Sequence, residues 1–536
     1  MKTQLFAVIF SAGCSLADNT DLESLDARAA LQAPTCETST RPCSACVHQG
    51  RLAGATDNST CRYLGIPYGK STAGPNRFMP PEPASKWSGV RQATERGPAC
   101  PQVPDTSFAS STSEDCLYLN VFAPREPPPE PLPVMVFIHG GSYVSGSADL
   151  YSGAGLANAA NVVVVTMNYR LGALGFFAHP ELDRDRPGAL SGLEGIRDQQ
   201  LALRWVHDNV AAFGGDPNNV TLFGESAGGA AVNLHLVSPA SHGLAQRFIL
   251  ESGTSMRRPA KPMAPVGRDA AYTLTQRMAA DLCPGAANVL HCLRGLPPER
   301  LLEWSPPNGA ELGELGAIFL PVIDDGRSGI VPDEPERLMA AGSVNPGAIV
   351  LGSNKYEYAL FQWLNDDNVA SLAELRAKIA ARFGTQADEI LKLYITGAFT
   401  DDPNRAYSTF MTDILFRCAT RRLARLAASA GAAVYLYSFD EGEARHTEEL
   451  VYVLGPNDYA DGLLSVVSFI YPRSLVETVQ QYWGNHAYGG DPNGPGLLRW
   501  PRYEAVTDQH MVLADPPALG AGLARSACDY WDRYLD

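Results

Sequence analysis

The sequence predicts an α/β fold: a large, mostly parallel central sheet covered by helices on both faces. Three observations carry that expectation. Continuous apolar runs recur along the chain, the mark of strands buried on both faces. Amphipathic helical stretches lie between them. No internal repeat, low-complexity tract or linker appears after residue 48, so most of the 536 residues read as a single domain over 48–536.

The elements follow in order. Pro124 to Pro133 is expected to be an extended surface loop, because proline disfavours both helix and ladder. Val134-Met135-Val136-Phe137-Ile138, directly after it, is a strand buried on both faces. Asn161 to Met167 (NVVVVTM) is a second. Val220 to Phe223, Ala348 to Leu351 and Val434 to Phe439 continue the series. Ile196 to Phe213 is helical, with Ile196, Leu203, Val206 and Val210 on one face and Trp205 beside them; Asp198, Gln199, Asp208 and Asn209 are its polar positions.

The N-terminus reads as an export signal over 1–17: Met1-Lys2, the apolar run Leu5 to Phe10, then small residues. Two cleavage readings stand. Ser15-Leu16-Ala17 suits an ordinary signal peptidase. Ser11-Ala12-Gly13-Cys14 resembles a bacterial lipoprotein box, which would leave Cys14 lipidated as the new N-terminus and a lipid anchor. Residues 18–47 are expected to be a flexible leader, Asp18 to Pro34, followed by the start of a cysteine-rich segment, Cys36 to Cys61. No run of about 18 apolar residues follows, so no transmembrane segment is expected. The end, Tyr530 to Asp536, is too polar for a GPI-anchor tail.

Hydrophobic residues make up 45% of the chain and charged ones 19%, enough for a sizeable core. A net charge of −16 argues against nucleic-acid binding and leaves no polybasic membrane patch. Eleven cysteines fit an oxidising compartment, and without Cys14 ten remain, an even number. Cys43-Ser44-Ala45-Cys46 has the spacing of a redox or zinc pair. No strand precedes it and no second ligand pair follows, so it reads as structural.

The most informative chemistry lies in Gly224-Glu225-Ser226-Ala227-Gly228. The pentapeptide follows the strand Val220 to Phe223 and precedes a small-residue helical stretch, Gly229-Ala230-Ala231-Val232. A serine on a sharp strand-to-helix turn needs glycine on both sides, and the turn lifts the hydroxyl clear of the sheet with a helix N-terminus behind it. Such a nucleophile needs a base, an orienting acid and a place for negative charge. His139-Gly140-Gly141-Ser142-Tyr143 follows a buried strand, and its glycines let backbone N–H groups turn into a cleft.

These motifs occur with others in a set order. Tyr63-Leu64-Gly65-Ile66-Pro67-Tyr68 and Glu114-Asp115-Cys116-Leu117-Tyr118-Leu119-Asn120 precede the glycine turn. Asp198-Gln199-Gln200-Leu201-Ala202-Leu203-Arg204-Trp205-Val206 and Phe213-Gly214-Gly215-Asp216-Pro217 come before the serine. Trp483-Gly484-Asn485, Gly490-Asp491-Pro492-Asn493 and Trp500-Pro501-Arg502-Tyr503 come late. From about Val47 to its end the chain resembles the type-B carboxylesterases, the α/β-hydrolase family that includes the cholinesterases.

The resemblance implies an α/β-hydrolase fold, carboxylic-ester hydrolysis through an acyl-enzyme, and a set of residues. Ser226 is the nucleophile. Glu357, in Gly352-Ser353-Asn354-Lys355-Tyr356-Glu357, is the acid, and Asp324-Asp325-Gly326, which physics alone leaves as a rival, becomes structural. His446, in His446-Thr447-Glu448-Glu449-Leu450, is the base, with the family's glutamate three residues on. Gly141, Ser142 and Ala227 supply the oxyanion N–H groups. Cys100 pairs with Cys116, Cys283 with Cys292 and Cys418 with Cys528. Cys36, Cys43, Cys46 and Cys61 are left for two further bridges of open connectivity.

Two departures qualify the match. Ser142 stands where many relatives have a third glycine, so its φ is less free. Glu443 stands where relatives usually have glycine, and if it lies near His446 its charge would favour the imidazolium. The mechanism calls for no cofactor and no metal. His446 to Leu450 is not H-E-x-x-H, and Gly65 to Gly69-Lys70-Ser71 is one residue short of a phosphate loop.

For the substrate, a small-molecule ester is expected. The only aromatic between Cys100 and Cys116 is Phe108, which disfavours choline esters, since a quaternary ammonium wants an aromatic face, tryptophan above all. Arg257-Arg258 and Lys261 are candidates for holding an acidic group. Hydrolysis of carbamates, amides or lactones by the same chemistry is the alternative. A non-catalytic binding role, known among family members that have lost the serine or histidine, fits less well because all three residues are present.

Overall fold

The computed structural model describes residues 42–57, 59–103, 111–126, 128–184, 190–259, 263–306, 318–395, 401–456 and 471–535, which fall within one unit, Thr38–Asp536. The export signal, the leader, Cys14, Cys36, Phe108 and Lys261 lie outside the described residues.

Among the described residues thirteen strands form one sheet: β1 (Ser44–Val47), β2 (Gly50–Asp57), β3 (Thr60–Pro67), β4 (Val90–Ala93), β5 (Tyr118–Pro124), β6 (Leu132–Ile138), β7 (Val163–Met167), β8 (Gly215–Glu225), β9 (Arg247–Glu251), β10 (Ala348–Asn354), β11 (Val434–Phe439), β12 (Gln509–Leu513) and β13 (Ala518–Ala521). Their order is β1-β2-β3-β5-β7-β6-β8-β9-β10-β11-β12-β13, with β4 beside β2. From β7 to β12 every pairing is parallel. On the flanks β1 with β2, β2 with β3, β3 with β5, β5 with β7, and β12 with β13 are antiparallel, while β4 runs parallel to β2. The sheet is therefore mixed, with a parallel middle. The reason is connection length: β1–β2, β2–β3 and β12–β13 are joined by short turns, and a parallel crossover needs a dozen residues or more. β1 also lies inside the cysteine-rich segment Cys36 to Cys61.

The apolar runs are continuous because both faces are covered. In β6, Val134, Val136 and Ile138 enter one core while Met135 and Phe137 enter the other. β7, β8, β9, β10 and β11 divide in the same alternating way. The first core takes in the helices Glu194–Asn209, Ala227–Val237 and Cys418–Ser429; the second takes in Ala154–Ala160 and Arg473–Gly489. A third cluster gathers the later helices around Trp531.

Three local expectations change. Pro124 and Pro133 are not loop residues but belong to β5 and β6. Pro133 sits at a register shift between Leu132 and Val134 in the β6–β8 ladder, a place where proline's missing N–H is tolerated. β8 starts five residues earlier than the apolar run and ends two later. The helix Glu194–Asn209 is buried on most sides, Asp198, Gln199 and Asn209 included. Each of these polar residues has an internal partner. Asp198 forms a two-pronged pair with buried Arg170 (2.7 and 2.8 Å), Gln199 lies 3.0 Å from His235 Nε2, and Asn209 accepts from His48 N–H at 2.8 Å. Polarity in a sequence does not mean exposure when a partner is built opposite.

Candidate active site

The carboxyl ends of the parallel strands converge on one place, where open α/β sheets bind their ligands. β8 ends on Glu225 and runs into Ser226, β6 into His139-Gly140-Gly141-Ser142, β10 into Glu357, and β11 leads to the loop carrying His446.

Ser226 occupies a backbone conformation that L-residues rarely adopt, φ 57° and ψ −121°. The turn is held from several sides. Ser226 N–H donates to Glu251 O at 2.9 Å, and its carbonyl accepts from Ala230 N–H at 2.9 Å. A Cβ on Gly228 would lie 1.9 Å from Ile138 O, so only glycine lets the helix Ala227–Val237 pack this close to β6. The Ser226 side chain does not cap that helix, which leaves the hydroxyl free for chemistry.

The glycine turn approaches the serine directly. A Cβ on Gly140 would lie 3.0 Å from Ser226 Cβ. Gly141 has φ 101°, and its carbonyl accepts from the N–H groups of Val144 and Ser145 at 2.9 and 3.0 Å. Ser142 and Tyr143 follow at φ 54° and 61°, so the serine adopts the positive φ that a third glycine would take more cheaply. Among the described residues, no acceptor meets the N–H groups of Gly141 and Ser142. Behind the turn, Gln102 clasps Gly146 through two hydrogen bonds of 3.0 Å, close to the Cys100–Cys116 disulfide. His139, buried and stacked on Tyr169 at 4.4 Å, is held neutral: burial lowers its pKa to about 4.

Glu357 and His446 are brought together, with His446 Nδ1 2.6 Å from Glu357 Oε2. Glu357 Oε1 accepts from Asn354 N–H at 2.7 Å, which fixes the carboxylate. The rings of Phe416 (4.9 Å) and Phe361 (5.1 Å) pack on the imidazole. Phe416 lies in a π-turn, Asp413–Arg417, a local widening common at functional sites. The other ring nitrogen, Nε2, stands 3.1 Å from Glu225 Oε1 without hydrogen-bond alignment. Glu225 is the chain neighbour of Ser226, so the imidazole sits at the serine's turn. Among the described residues the Ser226 hydroxyl has no hydrogen-bond partner; such contacts often tighten only with substrate bound.

Three carboxyl groups around the histidine were not foreseen in these roles. Glu225, Glu251 and Glu449 are buried with Glu357. Burial first, then the charges of Glu357 and Glu251, push the Glu225 pKa well above the carboxylate range. Burial and Glu449 do the same to Glu251, which accepts from Trp483 Nε1 at 2.8 Å. Glu449 rises to about 8 through burial and the charges of Glu225 and Glu357. The pentapeptide names Glu225 and the histidine loop names Glu449, but only the tertiary fold makes them neighbours.

Other expected residues fall elsewhere. Glu443 is 56% exposed and turns to Arg405 (3.6 Å) and Arg445 (3.9 Å) rather than to His446; the carboxyls beside the imidazole are Glu357 at Nδ1 and Glu225 at Nε2. Asp324 is buried and accepts from the N–H groups of Gly326, Ile330 and Val331 at 2.9–3.3 Å, a turn-holding role. Arg257 is paired with Glu336 at 3.3 Å, whereas Arg258 is buried. Disulfides join Cys100 to Cys116, Cys283 to Cys292, Cys418 to Cys528 and Cys43 to Cys61. Cys46 is also disulfide-bonded.

The model of the carboxylesterase family matches residues 42–531. The chain belongs to the carboxylesterase family. It is 35% identical over 489 residues to the para-nitrobenzyl esterase of Bacillus subtilis (strain 168), covering 87% of this chain and 93% of that protein. It is 33% identical to the cocaine esterase of Homo sapiens (88% of this chain, 87% of the relative) and 33% identical to liver carboxylesterase 1 of Mus musculus (88% of each). This carboxylesterase is a carboxylic-ester hydrolase on an α/β-hydrolase fold. No helix among its described residues is long and apolar enough to cross a membrane.

Proposed function

We propose that this carboxylesterase hydrolyses small carboxylic esters through an acyl-enzyme on Ser226, with His446 as base and Glu357 as its orienting acid. The observation that carries the reading is the 2.6 Å contact between His446 Nδ1 and Glu357 at the turn where Ser226 is held in its strained conformation. Glu357 accepts a hydrogen bond from His446 Nδ1–H, which holds the proton on that nitrogen and leaves Nε2 to act as the base. His446 takes the Ser226 proton as the hydroxyl attacks the ester carbonyl. The tetrahedral oxyanion is received by the N–H groups of Gly141, Ser142 and Ala227, at the start of a helix. The alcohol leaves with the proton from His446, and water then repeats the sequence to release the acid. The scheme uses only this chain's residues and water.

A fluorophosphonate probe is expected to label Ser226 covalently. Turnover of p-nitrophenyl acetate, or of a p-nitrobenzyl ester such as the first relative's name suggests, is expected to vanish in Ser226→Ala. A folded wild type that takes no label would sink the reading.

The same proposal places the protein outside the cytoplasm, because five bonded cysteines precede residue 117 and disulfides persist in oxidising compartments. Mass spectrometry of the mature protein is expected to find the N-terminus near residue 18 or a lipidated Cys14. An intact Met1 on a protein with reduced thiols would contradict export.

A further inference from the structure

The acid and the base of the proposed scheme stand on different loops, and whatever joins those loops sets the distance between them. Glu357 follows β10, and His446 lies in the loop after β11. The histidine loop is strained on both sides of the imidazole: Ala444 has φ 48° and Thr447 has φ 73°. Residues other than glycine stay in that region only where their surroundings hold them. The residues just before Glu357 do the holding. Lys355 N–H donates to Phe439 O at 3.0 Å, and Tyr356 N–H donates to Ala444 O at 2.9 Å.

The third tie is a side chain. Asn354, fully buried at the end of β10, donates from Nδ2 to Arg445 O at 2.6 Å. That carbonyl belongs to the peptide that enters His446. The second hydrogen of the same amide goes to Glu449 Oε2, three residues past the histidine. Arg445 O accepts and never donates, so only the NH2 side of the amide can face it. The backbone N–H of Asn354 meanwhile donates to Glu357 Oε1 at 2.7 Å. One residue thus holds the acid through its backbone and the loop of the base through its side chain. Arg445 O also accepts from Glu448 N–H at 3.2 Å, but that bond lies within the histidine loop and fixes nothing relative to Glu357.

We propose that Asn354 is a positioning residue for ester hydrolysis. Its amide clamps the peptide before His446 to the strand end that leads to Glu357, and so sets the alignment of the imidazole between the acid and the serine. This rests on the reading of Ser226, His446 and Glu357 as the reacting set. Asn354 touches none of the reacting atoms of Ser226 or His446 and acts only through the geometry of that set. A displacement of about 1 Å in a catalytic group can cost about 100-fold in rate.

Asn354→Ala removes both donors without adding bulk and leaves the backbone N–H on Glu357. For p-nitrophenyl acetate kcat is expected to fall by about 10- to 100-fold, with KM within about threefold of wild type. A double-mutant cycle with Glu357→Gln separates positioning from general support of the fold. In the Glu357→Gln background the loss of the amide is expected to cost less than about threefold, because the alignment it protects is already gone. Equal losses in the two backgrounds, or a wild-type kcat in Asn354→Ala, overturn the proposal. Asn354→Asp keeps the shape with at most one hydrogen to donate, and is expected to lose less than Asn354→Ala. It takes the place of Asn354→Ala in the cycle if that variant does not fold, and the same comparison of backgrounds decides.

Failure of the underlying reading looks different: the wild type takes no fluorophosphonate label and Glu357→Gln keeps its turnover. Proton NMR of Ser226→Ala then decides the clamp alone. The His446 Nδ1 proton, held against Glu357 across 2.6 Å, is expected as a far-downfield resonance that Glu357→Gln abolishes. Adding Asn354→Ala is expected to move that resonance upfield or broaden it away. A resonance unchanged in Ser226→Ala/Asn354→Ala overturns the proposal.

Discussion

Ser142 and Gly141 separate two things a backbone N–H donor needs: freedom to turn and room to stand. Ser142 holds φ 54°, where an L-residue is strained by roughly 1–2 kcal/mol. Ser142→Gly relieves that strain but frees the unfolded chain by a similar amount, and it keeps the N–H. Turnover of p-nitrophenyl acetate is therefore expected to stay within about threefold of wild type, since a lost donor would cost about 100- to 1000-fold. Gly141→Ala is the contrast. Its Cβ would stand 2.2 Å from Ser145 O, so the turn must move, and kcat is expected to fall by about 100-fold or more. A Gly141→Ala enzyme with wild-type kcat would remove this turn from the oxyanion site. The same scale marks what the sequence could and could not say. Ser226 and the glycine turn are legible because their backbone demands glycine at fixed positions. The Glu225–Glu251–Glu449 cluster was not, because a carboxylate becomes a pKa-shifted group only when tertiary packing removes its water.

Among the elements, the strands that read most clearly were those needing no partner to explain them. β6, β7, β8, β10 and β11 lie in the parallel middle, and burial on both faces writes itself as an unbroken apolar run. The flanking strands β1, β2, β4 and β13 went unread because they are short or partly exposed, and a half-exposed strand mixes polar residues into its pattern. The polar face read on Glu194–Asn209 failed for the complementary reason, since Arg170, His235 and His48 wait inside for its side chains. The disulfides tie distant elements with unequal leverage. Cys418–Cys528 closes 110 residues and joins the helices Cys418–Ser429 and Arg525–Leu535, while Cys283–Cys292 closes 9. Loop-closure entropy makes the longer bridge worth about 2 kcal/mol more. Urea unfolding of the paired alanine variants is expected to place Cys418→Ala/Cys528→Ala below Cys283→Ala/Cys292→Ala. The reverse order would mean that strain or residual structure, not chain entropy, governs these bridges.

For the molecule as a whole, stability and activity make opposite demands on pH. Glu225, Glu251 and Glu449 reach the site from β8, β9 and the histidine loop, all buried and all with raised pKa values. In the unfolded chain a glutamate titrates near about 4.3. Between that value and the folded one the native state holds protons that the unfolded state has released, so stability falls as pH rises. For Glu449 the window runs up to its folded value of about 8. Catalysis by the proposed scheme pulls the other way, because its base must be free to take the serine proton, and activity is expected to fall as the solution is acidified. Glu449→Gln isolates the stability half. The amide is isosteric with the protonated acid: its oxygen can accept from Asn354 and its N–H donate to Ser252, the two partners Glu449 has now. The variant stays neutral at every pH, so its Tm is expected to gain on the wild type progressively from about pH 5 to pH 8 and to level off above. A gap that is constant across that range would mean that Glu449 is already ionised in the folded enzyme at pH 5. The acid cluster would then be held by charge pairing with His446 rather than by protons of its own.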